Sequence, residues 1–577
     1  MSKMDANACS NADKWINGHI DETIKKEIIA LRENNPEEFN DAFYRTLEFG
    51  TGGLRGIMGL GTNRMNFFTV SMTTQGFCNY IRKNKPTGQI RCVISHDSRN
   101  NSRDFAKTTA RVMAANGFEV FLFEDLRPTP ELSFAVRELK ADAGVMITAS
   151  HNPKEYNGYK AYWQDGGQLV SPHDKNVINE VEKITDISLV NFNKNESLIE
   201  YLDEKFDDIY INKILDLTLS PEAIKNHKDL VFVYTPIHGT GGQIIPKLFK
   251  KAGFENVHTV EEQMIVDGNF PTVISPNPEE KAALTLAIEK AKNVNADVVL
   301  ATDPDADRVG IAVKDENGEY VLLNGNQTAT LLTYYLLKRW AELGKLTGKE
   351  YIVKTIVTTE LLFDIAKKYN VEKYDVLTGF KYIADTILNN PDATFIGGGE
   401  ESYGFLISDF VRDKDANSAC YMIAEIAAWA AEENKTLYQI LKEIYKEFGF
   451  YKEGLLSLTK KGISGSEEIK NMMLRFRNTP PKQILGSDII EIKDYKSSIS
   501  KDVRSGNESI INLPKSDVLQ FLTEDGTKIS IRPSGTEPKI KFYFGIKANL
   551  NDIADFEVVN NELNEKISKL IKLFSEE

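Results

Sequence analysis

The chain has 577 residues, of which 41% are hydrophobic and 27% are charged, a composition typical of globular proteins with room for about four domains. Its 70 lysines and arginines against 84 aspartates and glutamates give a net charge of -14, which argues against nucleic acid or an anionic membrane surface as a partner. An acidic chain that binds an anion must therefore concentrate its cations locally.

The cysteines and the N-terminal segment bear on the cellular compartment. Cys9, Cys78, Cys92 and Cys420 form no C-x-x-C pair, so neither a disulfide scaffold nor a zinc site is indicated. The N-terminal segment is polar and lacks an apolar signal core, and no apolar run reaches membrane-spanning length. We expect a cytoplasmic protein.

The first part of the chain alternates predicted strands and helices. Behind Asp21, which is suited to cap a helix, apolar residues recur at helical spacing. The loop at 49–61 is rich in glycine and has Arg55 as its only charge, so its backbone can approach a ligand, although a plain hairpin loop is the alternative. Strands at 90–95 and 119–123 around a helix at 102–116 predict a mostly parallel sheet.

Residues 143–147 form an apolar run that predicts a buried strand, and Ser150 follows it on a loop. Ligands of open α/β sheets bind at this carboxyl edge. His151 and Lys160 lie close enough in sequence to exchange protons beside a charged ligand, and the N-G dipeptide at 157–158 predicts a tight turn that folds Lys160 back toward the serine. A serine in a loop is also a common turn former, so the residues alone leave both interpretations open.

Two apolar runs that predict strands flank Asp303, Asp305 and Asp307. Two carboxylates about 4 Å apart repel by about 4 kcal/mol at an effective dielectric constant of about 20, so three of them need a cation. Oxygen ligands select Mg²⁺ or a similar hard ion. Arg308 stands where the loop of an EF-hand needs glycine, which leaves a solvated acidic turn as the alternative.

The next segment opens with a predicted helix at 325–337 and a strand at 351–356, and an amphipathic helix follows at 417–432. Its loops at 378–381, 397–404 and 412–415 carry polar side chains, and the glutamate- and serine-containing loop at 397–404 suits sugar hydroxyls. By itself such a loop is weak support for a sugar site.

After residue 451 the alternation fades, which predicts a separate α+β domain. Between two predicted strands, Arg532, Ser534, Gly535 and Thr536 combine a guanidinium group, hydroxyls and backbone amides, a composition typical of an anion cradle. A surface turn is the alternative.

Four strings, taken in chain order, resemble the signatures of the α-D-phosphohexomutase superfamily, which includes phosphoglucomutase, phosphomannomutase and phosphopentomutase. They read T-A-S-H-N-P from residue 148, D-P-D-A-D-R from 303, G-E-E-S-Y-G from 399 and R-P-S-G-T from 532, and the loop around Arg55 is similar to the superfamily's N-terminal loop. The resemblance implies that Ser150 carries the transferred phosphoryl group, that Arg55 helps hold phosphate beside it, and that Ser150 and the three aspartates ligate Mg²⁺.

The same resemblance implies roles for the remaining loops. Together with the sequence positions of His151 and Lys160, it predicts that Ser150, His151, Lys160 and Arg55 carry catalysis, with either His151 or Lys160 as the main acid or base. The implied substrate-binding residues are Arg308, Thr378, Gly379, Lys381, Glu400, Ser402 and Lys414. The implied phosphate-binding residues are Arg532, Ser534, Gly535 and Thr536. A sugar bisphosphate is the expected intermediate and activator.

Other classes fit less well. A two-zinc phosphatase would need histidine clusters, but the seven histidines are scattered, and a P-loop kinase would need a G-x-x-x-x-G-K-[ST] string that the sequence lacks. A non-catalytic sugar-phosphate binding protein would be expected to lose Ser150 or an aspartate. We predict a phosphosugar mutase acting between positions 1 and 6, or 1 and 5, of the sugar. Most of the strings resemble the phosphoglucomutase and phosphopentomutase branch, and phosphoglucomutase is favoured. The alternatives are phosphopentomutase or phosphomannomutase activity, or a non-catalytic sugar-phosphate binding protein.

The expected architecture is α/β, with three similar mixed α/β domains and a smaller α+β C-terminal domain around a central cleft. The predicted bounds are 1–208 for the phosphoserine domain, 209–324 for the metal-binding domain, 325–450 for the sugar-binding domain and 451–577 for the phosphate-binding domain. The expected partner is a small sugar phosphate, with no nucleic acid, no membrane and no obligatory protein partner.

Overall fold

The computed structural model describes residues 4–48, 53–460, 462–534 and 539–576, and the chain divides into two compact units. Unit 1 comprises Met1–Asn324, Phe380–Gly397 and Ser402–Asn434, and unit 2 comprises Gly325–Gly379, Gly398–Glu401 and Lys435–Glu577. Part of the predicted glycine loop (49–52) and two predicted phosphate-binding residues, Gly535 and Thr536, lie outside the described residues.

The elements up to residue 215 are α1 (Ala6–Ile16), α2 (Glu22–Asn34), α3 (Pro36–Phe43), β1 (Gly53–Ile57), α4 (Phe67–Asn84), β2 (Arg91–His96), α5 (Ser102–Ala115), β3 (Glu119–Phe123), α6 (Thr129–Glu138), β4 (Ala143–Ile147), β5 (Tyr156–Trp163), α7 (His173–Val181), β6 (Ile199–Leu202) and α8 (Glu204–Leu215). The strands form one sheet in the order β1-β5-β4-β2-β3-β6. Strands β2, β3, β4 and β6 pair in parallel, as the βαβ pattern predicts, whereas β5 is antiparallel to both β4 and β1.

Strand β4 is buried along its whole length, because an inner strand of a sheet covered by helices on both faces has no solvent side. The predicted N-G turn at 157–158 is wrong, since both residues lie within β5. A Cβ atom on Gly158 would come 2.4 Å from the carbonyl oxygen of Thr148, so glycine allows the close approach of neighbouring backbone. Pairing on both edges of the strand overrides the local turn preference.

The next elements are α9 (Pro221–Asn226), β7 (Val231–Thr235), α10 (Gly241–Ala252), β8 (Asn256–Thr259), α11 (Glu261–Met264), α12 (Thr285–Val294), β9 (Val298–Thr302), β10 (Val309–Lys314) and β11 (Tyr320–Leu323). They form a mixed sheet in the order β11-β10-β9-β7-β8. Strand β9 is fully buried, and it pairs antiparallel with β10. The hairpin between these strands therefore presents the predicted metal loop at one edge of the sheet.

The following elements are α13 (Gly325–Glu342), β12 (Glu350–Thr355), α14 (Leu361–Lys368), β13 (Glu372–Val376), α15 (Lys381–Asn389), β14 (Thr394–Gly399), β15 (Phe405–Ile407), α16 (Ala416–Glu432) and α17 (Leu437–Phe448). Within unit 2, β12 and β13 pair in parallel. Within unit 1, α16 is almost entirely buried, and Asp415 caps it by accepting hydrogen bonds from the backbone N–H groups of Asn417 and Ser418.

The C-terminal elements are β16 (Phe450–Thr459), α18 (Gly462–Asn478), β17 (Gln483–Ile484), β18 (Ser487–Asp494), β19 (Ile499–Asp502), β20 (Glu508–Ile510), β21 (Leu519–Thr523), β22 (Lys528–Pro533), β23 (Lys539–Ala548) and α19 (Phe556–Ser575). They form an antiparallel sheet in the order β16-β23-β22-β21-β18-β19-β20. Aromatic contacts join α18 and α19 to the sheet, with Phe476 and Phe542 both packed on Phe574. This arrangement confirms the predicted α+β character.

A cluster of charged side chains in unit 2 surrounds a buried lysine, and its carboxylates are partly exposed. Lys354 is 0% exposed and lies 2.6 Å from Asp375 and 3.1 Å from Glu360. Glu360 also accepts a hydrogen bond from Lys528 at 2.5 Å. Burial raises the pKa of the neighbouring Glu453 carboxyl to about 7, above its usual value of 4.5.

This shift predicts a pH-dependent effect of Glu453→Gln. Between about pH 4.5 and 7 the folded protein binds a proton at Glu453 that the unfolded chain has released, so the stability of the wild type falls as the pH rises through this window. Glutamine carries no such charge, so the stability of the variant relative to the wild type should rise from pH 5 to pH 8. Since the side chain is half-buried, we expect a relative gain of at most about 2 kcal/mol.

Urea unfolding of both proteins at pH 5, 6, 7 and 8 measures this difference. A constant difference in unfolding free energy across the series would contradict the assignment.

Among the residues that the structure describes, no helix is both long and apolar enough to cross a membrane.

Candidate active site

Ser150 follows β4 in a backbone conformation that is unusual for a residue with a side chain. Its φ is 52°, in the left-handed region, and its N–H donates to Thr148 Oγ1 at 2.8 Å. Ser150 Oγ donates to Asp303 Oδ2 at 2.6 Å and lies 3.2 Å from His151 Nδ1. The predicted nucleophile therefore touches the predicted metal loop directly.

The loop between β9 and β10 folds its three carboxylates together. Asp303 and Asp305 are 0% exposed and Asp307 is 2% exposed. Asp303 Oδ1 accepts from the N–H groups of Asp307 and Arg308 at 3.1 and 3.0 Å, and Ala306 takes a left-handed φ of 51° that closes the turn. The solvated acidic turn that the sequence left open is wrong, because these side chains are buried.

Two lysines reach the carboxylates from other parts of unit 1. Lys160 Nζ on β5 lies 2.7 Å from Asp305 Oδ2 and 3.1 Å from Asp307 Oδ2. Lys414 Nζ also lies 3.1 Å from Asp307 Oδ2. Both lysines thus contact Asp307 in the structure. Neither the predicted N-G turn nor the polar loop at 412–415 predicted this shared contact.

Burial and charge divide the pKa values of the aspartates. Burial, together with the negative charges of Asp305 and Asp307, raises the pKa of Asp303 well above its usual range. Burial alone would also raise the pKa of Asp307, but the ammonium groups of Lys160 and Lys414 hold it well below its usual range. The local cations therefore outweigh burial at Asp307 but not at Asp303.

This cluster fits a divalent cation. The three aspartates offer oxygens that all lie within 4.8 Å of one another. Asp305 Oδ1 and Asp307 Oδ1 are buried and lack a hydrogen-bond partner within the described part of the chain, an arrangement that is costly unless an ion satisfies them. A donor set made only of oxygen atoms suits a hard cation.

His151 and Lys160 differ in charge. Burial, reinforced by the positive charges of Arg308 and Arg55, lowers the pKa of the His151 imidazole well below its usual value. Burial alone would lower the pKa of Lys160 too, but Asp305 and Asp307 outweigh it and raise that pKa. At neutral pH, His151 is a potential proton acceptor and Lys160 a potential proton donor.

The structure also places the other predicted site residues of unit 1. Arg55 on β1 donates to Asn152 Oδ1 at 3.2 Å, beside the serine loop. Arg308 is held by an ion pair with Glu279. Lys381, at the start of α15, lies 3.7 Å from Asp174, and Ser402 is half-buried in the turn before β15.

The predicted residues of unit 2 form separate groups. Glu400 is 6% exposed and accepts from the Gly379 N–H at 2.9 Å, so these two predicted sugar-binding residues adjoin. Thr378 precedes them, and its buried Oγ1 lacks a hydrogen-bond partner within the described ranges. Arg532 is the second-last residue of β22, and Ser534, directly after the strand, donates its N–H to the Lys539 carbonyl at 2.7 Å.

Three contacting residues were not predicted from the sequence. Thr129 Oγ1, at the start of α6, donates to Asp305 Oδ2 at 2.9 Å. Asp413 lies 3.2 Å from Lys414 Nζ, and Glu279 holds Arg308. Thr129 carries no local signal, whereas Asp413 stands in a run of alternating charges, R-D-K-D, that could have indicated a pairing site.

Comparison with known proteins gives matches along the chain. Models of the phosphoglucomutase/phosphomannomutase family match in four parts: alpha/beta/alpha domain I at residues 46–188, domain II at 208–318, domain III at 324–448 and the C-terminal domain at 489–558. These matches confirm the predicted fold class of three α/β domains and a smaller C-terminal domain.

Individual relatives cover nearly the whole chain. A phosphoglucomutase of Staphylococcus haemolyticus is 37% identical over 96% of this chain and 98% of its own length. A phosphoglucomutase of Staphylococcus aureus strain MRSA252 is 38% identical over 97% of this chain and 99% of its own. The crystal structure of a putative phosphomannomutase from Thermus thermophilus aligns with a TM-score of 0.68 at 22% identity, covering 92% of this chain and 99% of that one, which shows the shared fold.

The comparisons confirm the sequence-based prediction of a phosphosugar mutase and of the enzyme class, an intramolecular phosphotransferase. The family match extends over all four parts of the chain, and in the structure two of the motifs, the serine loop and the aspartate loop, meet in one buried cluster. On these grounds the chain belongs to the phosphoglucomutase/phosphomannomutase family.

Proposed function

We propose that the protein is a phosphoglucomutase that interconverts glucose 1-phosphate and glucose 6-phosphate through a phosphoserine at Ser150. The observation that carries the proposal is the 2.6 Å contact of Ser150 Oγ with Asp303 inside a buried aspartate cluster. The names of the relatives favour glucose phosphates. Phosphopentomutase or phosphomannomutase activity is the second candidate, and the family description names phosphomannomutase.

Mg²⁺ is the proposed metal, held by Asp303, Asp305, Asp307 and the Ser150 oxygen, and when bound it would offset a phosphoserine charge of about -1.5 to -2. The cationic side chain of Arg55, beside the serine loop, suits the same phosphate. Neutral His151, next to Ser150 Oγ, is placed to take up a proton, and charged Lys160 to supply one.

The remaining loops are proposed to hold the substrate. Glu400 and Ser402, with Thr378 and Gly379, would read sugar hydroxyls, while Arg308, Lys381 and Lys414 contribute positive charge. Arg532 and Ser534, with Gly535 and Thr536, would hold the phosphate that is not reacting. Guanidinium and amide donors recognise phosphate without reading which carbon bears it, so one cradle can serve both orientations of the sugar.

A single serine acting at two carbons requires a bisphosphate intermediate. The Ser150 O–P bond breaks as a sugar hydroxyl oxygen forms the new O–P bond and loses its proton, which gives a sugar bisphosphate. After the intermediate turns, its other phosphate returns to Ser150, and the leaving sugar oxygen is protonated. The same bisphosphate should therefore activate dephosphorylated enzyme.

We further propose a cytoplasmic protein that works on small sugar phosphates without nucleic acid, a membrane or an obligatory protein partner. The net charge of -14 and the unpatterned cysteines support this assignment.

Comparing kcat/KM for glucose 1-phosphate, mannose 1-phosphate, ribose 1-phosphate and glucosamine 1-phosphate tests the substrate. Under single-turnover conditions, isotopically labelled phosphate placed on Ser150 should appear in the product. A preference for ribose or mannose phosphate would replace the first candidate by the second, and label that never leaves the enzyme would refute the bisphosphate route.

Arg532→Ala should lower kcat/KM roughly tenfold or more, because a charge-assisted contact with phosphate is worth about 1.5 to 3 kcal/mol. Steady-state kinetics measure the effect. Arg504→Ala is the matched control, since Arg504 pairs with Glu524 on the surface of the same unit, with both side chains more than half exposed. Unchanged kinetics with a lowered melting temperature would identify the Arg532 loop as a structural turn only.

A further inference from the structure

The guanidinium group of Arg99 donates hydrogen bonds to the backbone of the loop that carries Ser150. Arg99 Nη2 donates to the carbonyl oxygens of Ser150 and Asn152, each at 2.5 Å. Its Nη1 donates to the carbonyl oxygens of Pro153 and Tyr156 at 2.8 and 3.1 Å. Four carbonyl groups, from Ser150 to the first residue of β5, therefore converge on one side chain.

Asp97 ties the guanidinium group to the end of β4. Its carboxylate lies 3.2 Å from Arg99 Nε, and both side chains are 0% exposed. It accepts hydrogen bonds from Thr148 Oγ1 at 2.7 Å and from Ser102 Oγ at 2.6 Å. Because Thr148 Oγ1 accepts from the Ser150 N–H, the ion pair reaches the serine through both its N–H and its carbonyl group.

The Arg99 side chain is shielded from solvent. The residue is 3% exposed, and the buried ring of Phe270 covers it, with the guanidinium carbon 5.1 Å from the ring centroid. Its η hydrogens are donated to backbone carbonyl groups, and none of these contacts involves the Ser150 hydroxyl. These contacts therefore do not use the Ser150 hydroxyl.

We propose that Asp97 and Arg99 are positioning residues that hold Ser150 in its left-handed backbone conformation throughout the reaction cycle. A non-glycine residue in that region persists only where its surroundings over-determine it. The planar guanidinium fork can satisfy four carbonyl groups at once, which the point charge of a lysine cannot. The proposal rests on the proposed function of Ser150 as phosphoryl carrier.

Arg99→Lys tests the proposal, since it keeps the charge and loses the fork. We expect kcat to fall roughly 100-fold with KM within about threefold of wild type, because a small displacement of a reacting group mainly slows chemistry. Hydrogen–deuterium exchange of residues 148–156 should become about tenfold faster or more, with the rest of unit 1 unchanged.

Arg127→Lys is the matched control, because Arg127 forms another buried ion pair, 2.6 Å from Asp207, with side chains 7% and 0% exposed. It should lower the melting temperature while leaving kcat within about threefold of wild type. If Arg99→Lys does not fold, Asp97→Asn keeps the shape of the side chain without its charge, and we expect it to lower kcat and accelerate loop exchange in the same way.

Wild-type exchange and wild-type kcat in a folded Arg99 or Asp97 variant would overturn the proposal. Equal losses of kcat in the Arg99 and Arg127 variants would also overturn it, since they would reflect general destabilisation. The exchange measurement needs no substrate. An inactive wild-type protein would therefore refute the proposed function, and the loop measurement would still decide the positioning role.

Discussion

Ser150→Ala should leave a folded protein whose kcat/KM is lower by at least about 10⁴-fold, the order of loss found when an enzyme loses its nucleophile. Alanine retains the backbone contacts of the loop but has no oxygen to carry the phosphoryl group. The substitution also removes the 2.6 Å hydrogen bond to Asp303. Steady-state kinetics measure the loss of kcat/KM, and thermal unfolding shows whether the variant is folded.

Ser71→Ala is the matched control for Ser150→Ala. Ser71 is a fully buried serine of α4 whose hydroxyl lacks a hydrogen-bond partner within the described ranges, so its removal should change neither activity nor the melting temperature appreciably. Intact mass and peptide mapping of fresh wild-type protein should locate phosphate on Ser150. Phosphate found only on another residue would refute the assignment of Ser150 as the phosphoryl carrier.

Asp305→Asn should lower kcat/KM by about 10³-fold, because the metal contributes several kcal/mol of charge stabilisation and each 1.4 kcal/mol corresponds to a factor of about ten. Asparagine keeps the shape of the side chain and removes one charge from the cluster. Calorimetric titration with Mg²⁺ should show weaker binding in the variant. Chelation of the wild-type protein should abolish activity, and added Mg²⁺ should restore it.

The control for Asp305→Asn is Asp392→Asn, an exposed aspartate in the turn before β14. It should change neither Mg²⁺ affinity nor kcat/KM. Full turnover by Asp305→Asn in metal-free buffer would contradict the proposed metal site, whereas lost activity with unchanged Mg²⁺ affinity would assign Asp305 to holding Lys160 and Thr129 instead.

Much of the fold could be predicted because its signals are local. The strand predicted at 119–123 has the observed bounds of β3, and the helix predicted at 102–116 is α5 within one residue. Both segments carry a clear apolar period or run and end at glycine or a polar turn. Helices α1 and α3 were not predicted, since they are short and their buried residues, such as Trp15 and Phe39, pack on each other's segment rather than on the sheet.

The candidate site was predictable in its motifs but not in its contacts. Sequence placed Ser150 and Asp303 on loops after strands, and the structure joins these loops over a separation of 153 residues. It could not show that Lys160 and Lys414 converge on Asp307, because that depends on tertiary packing. The turn predicted at 157–158 failed for the same reason, since strand pairing on both sides decided the local conformation.

Strand β5 fixes the spacing of two side chains that contact the charged cluster. Successive side chains of a strand alternate between faces, so Lys160 and Tyr162 share one face, and there they reach Asp305 and Asp413 respectively, the latter at 2.8 Å. Inserting or deleting one residue in β5 would turn both side chains away together. Insertions and deletions should therefore be tolerated in the surface loops of this protein more readily than in β5. The number of residues in β5 should stay constant among related sequences and in engineered variants.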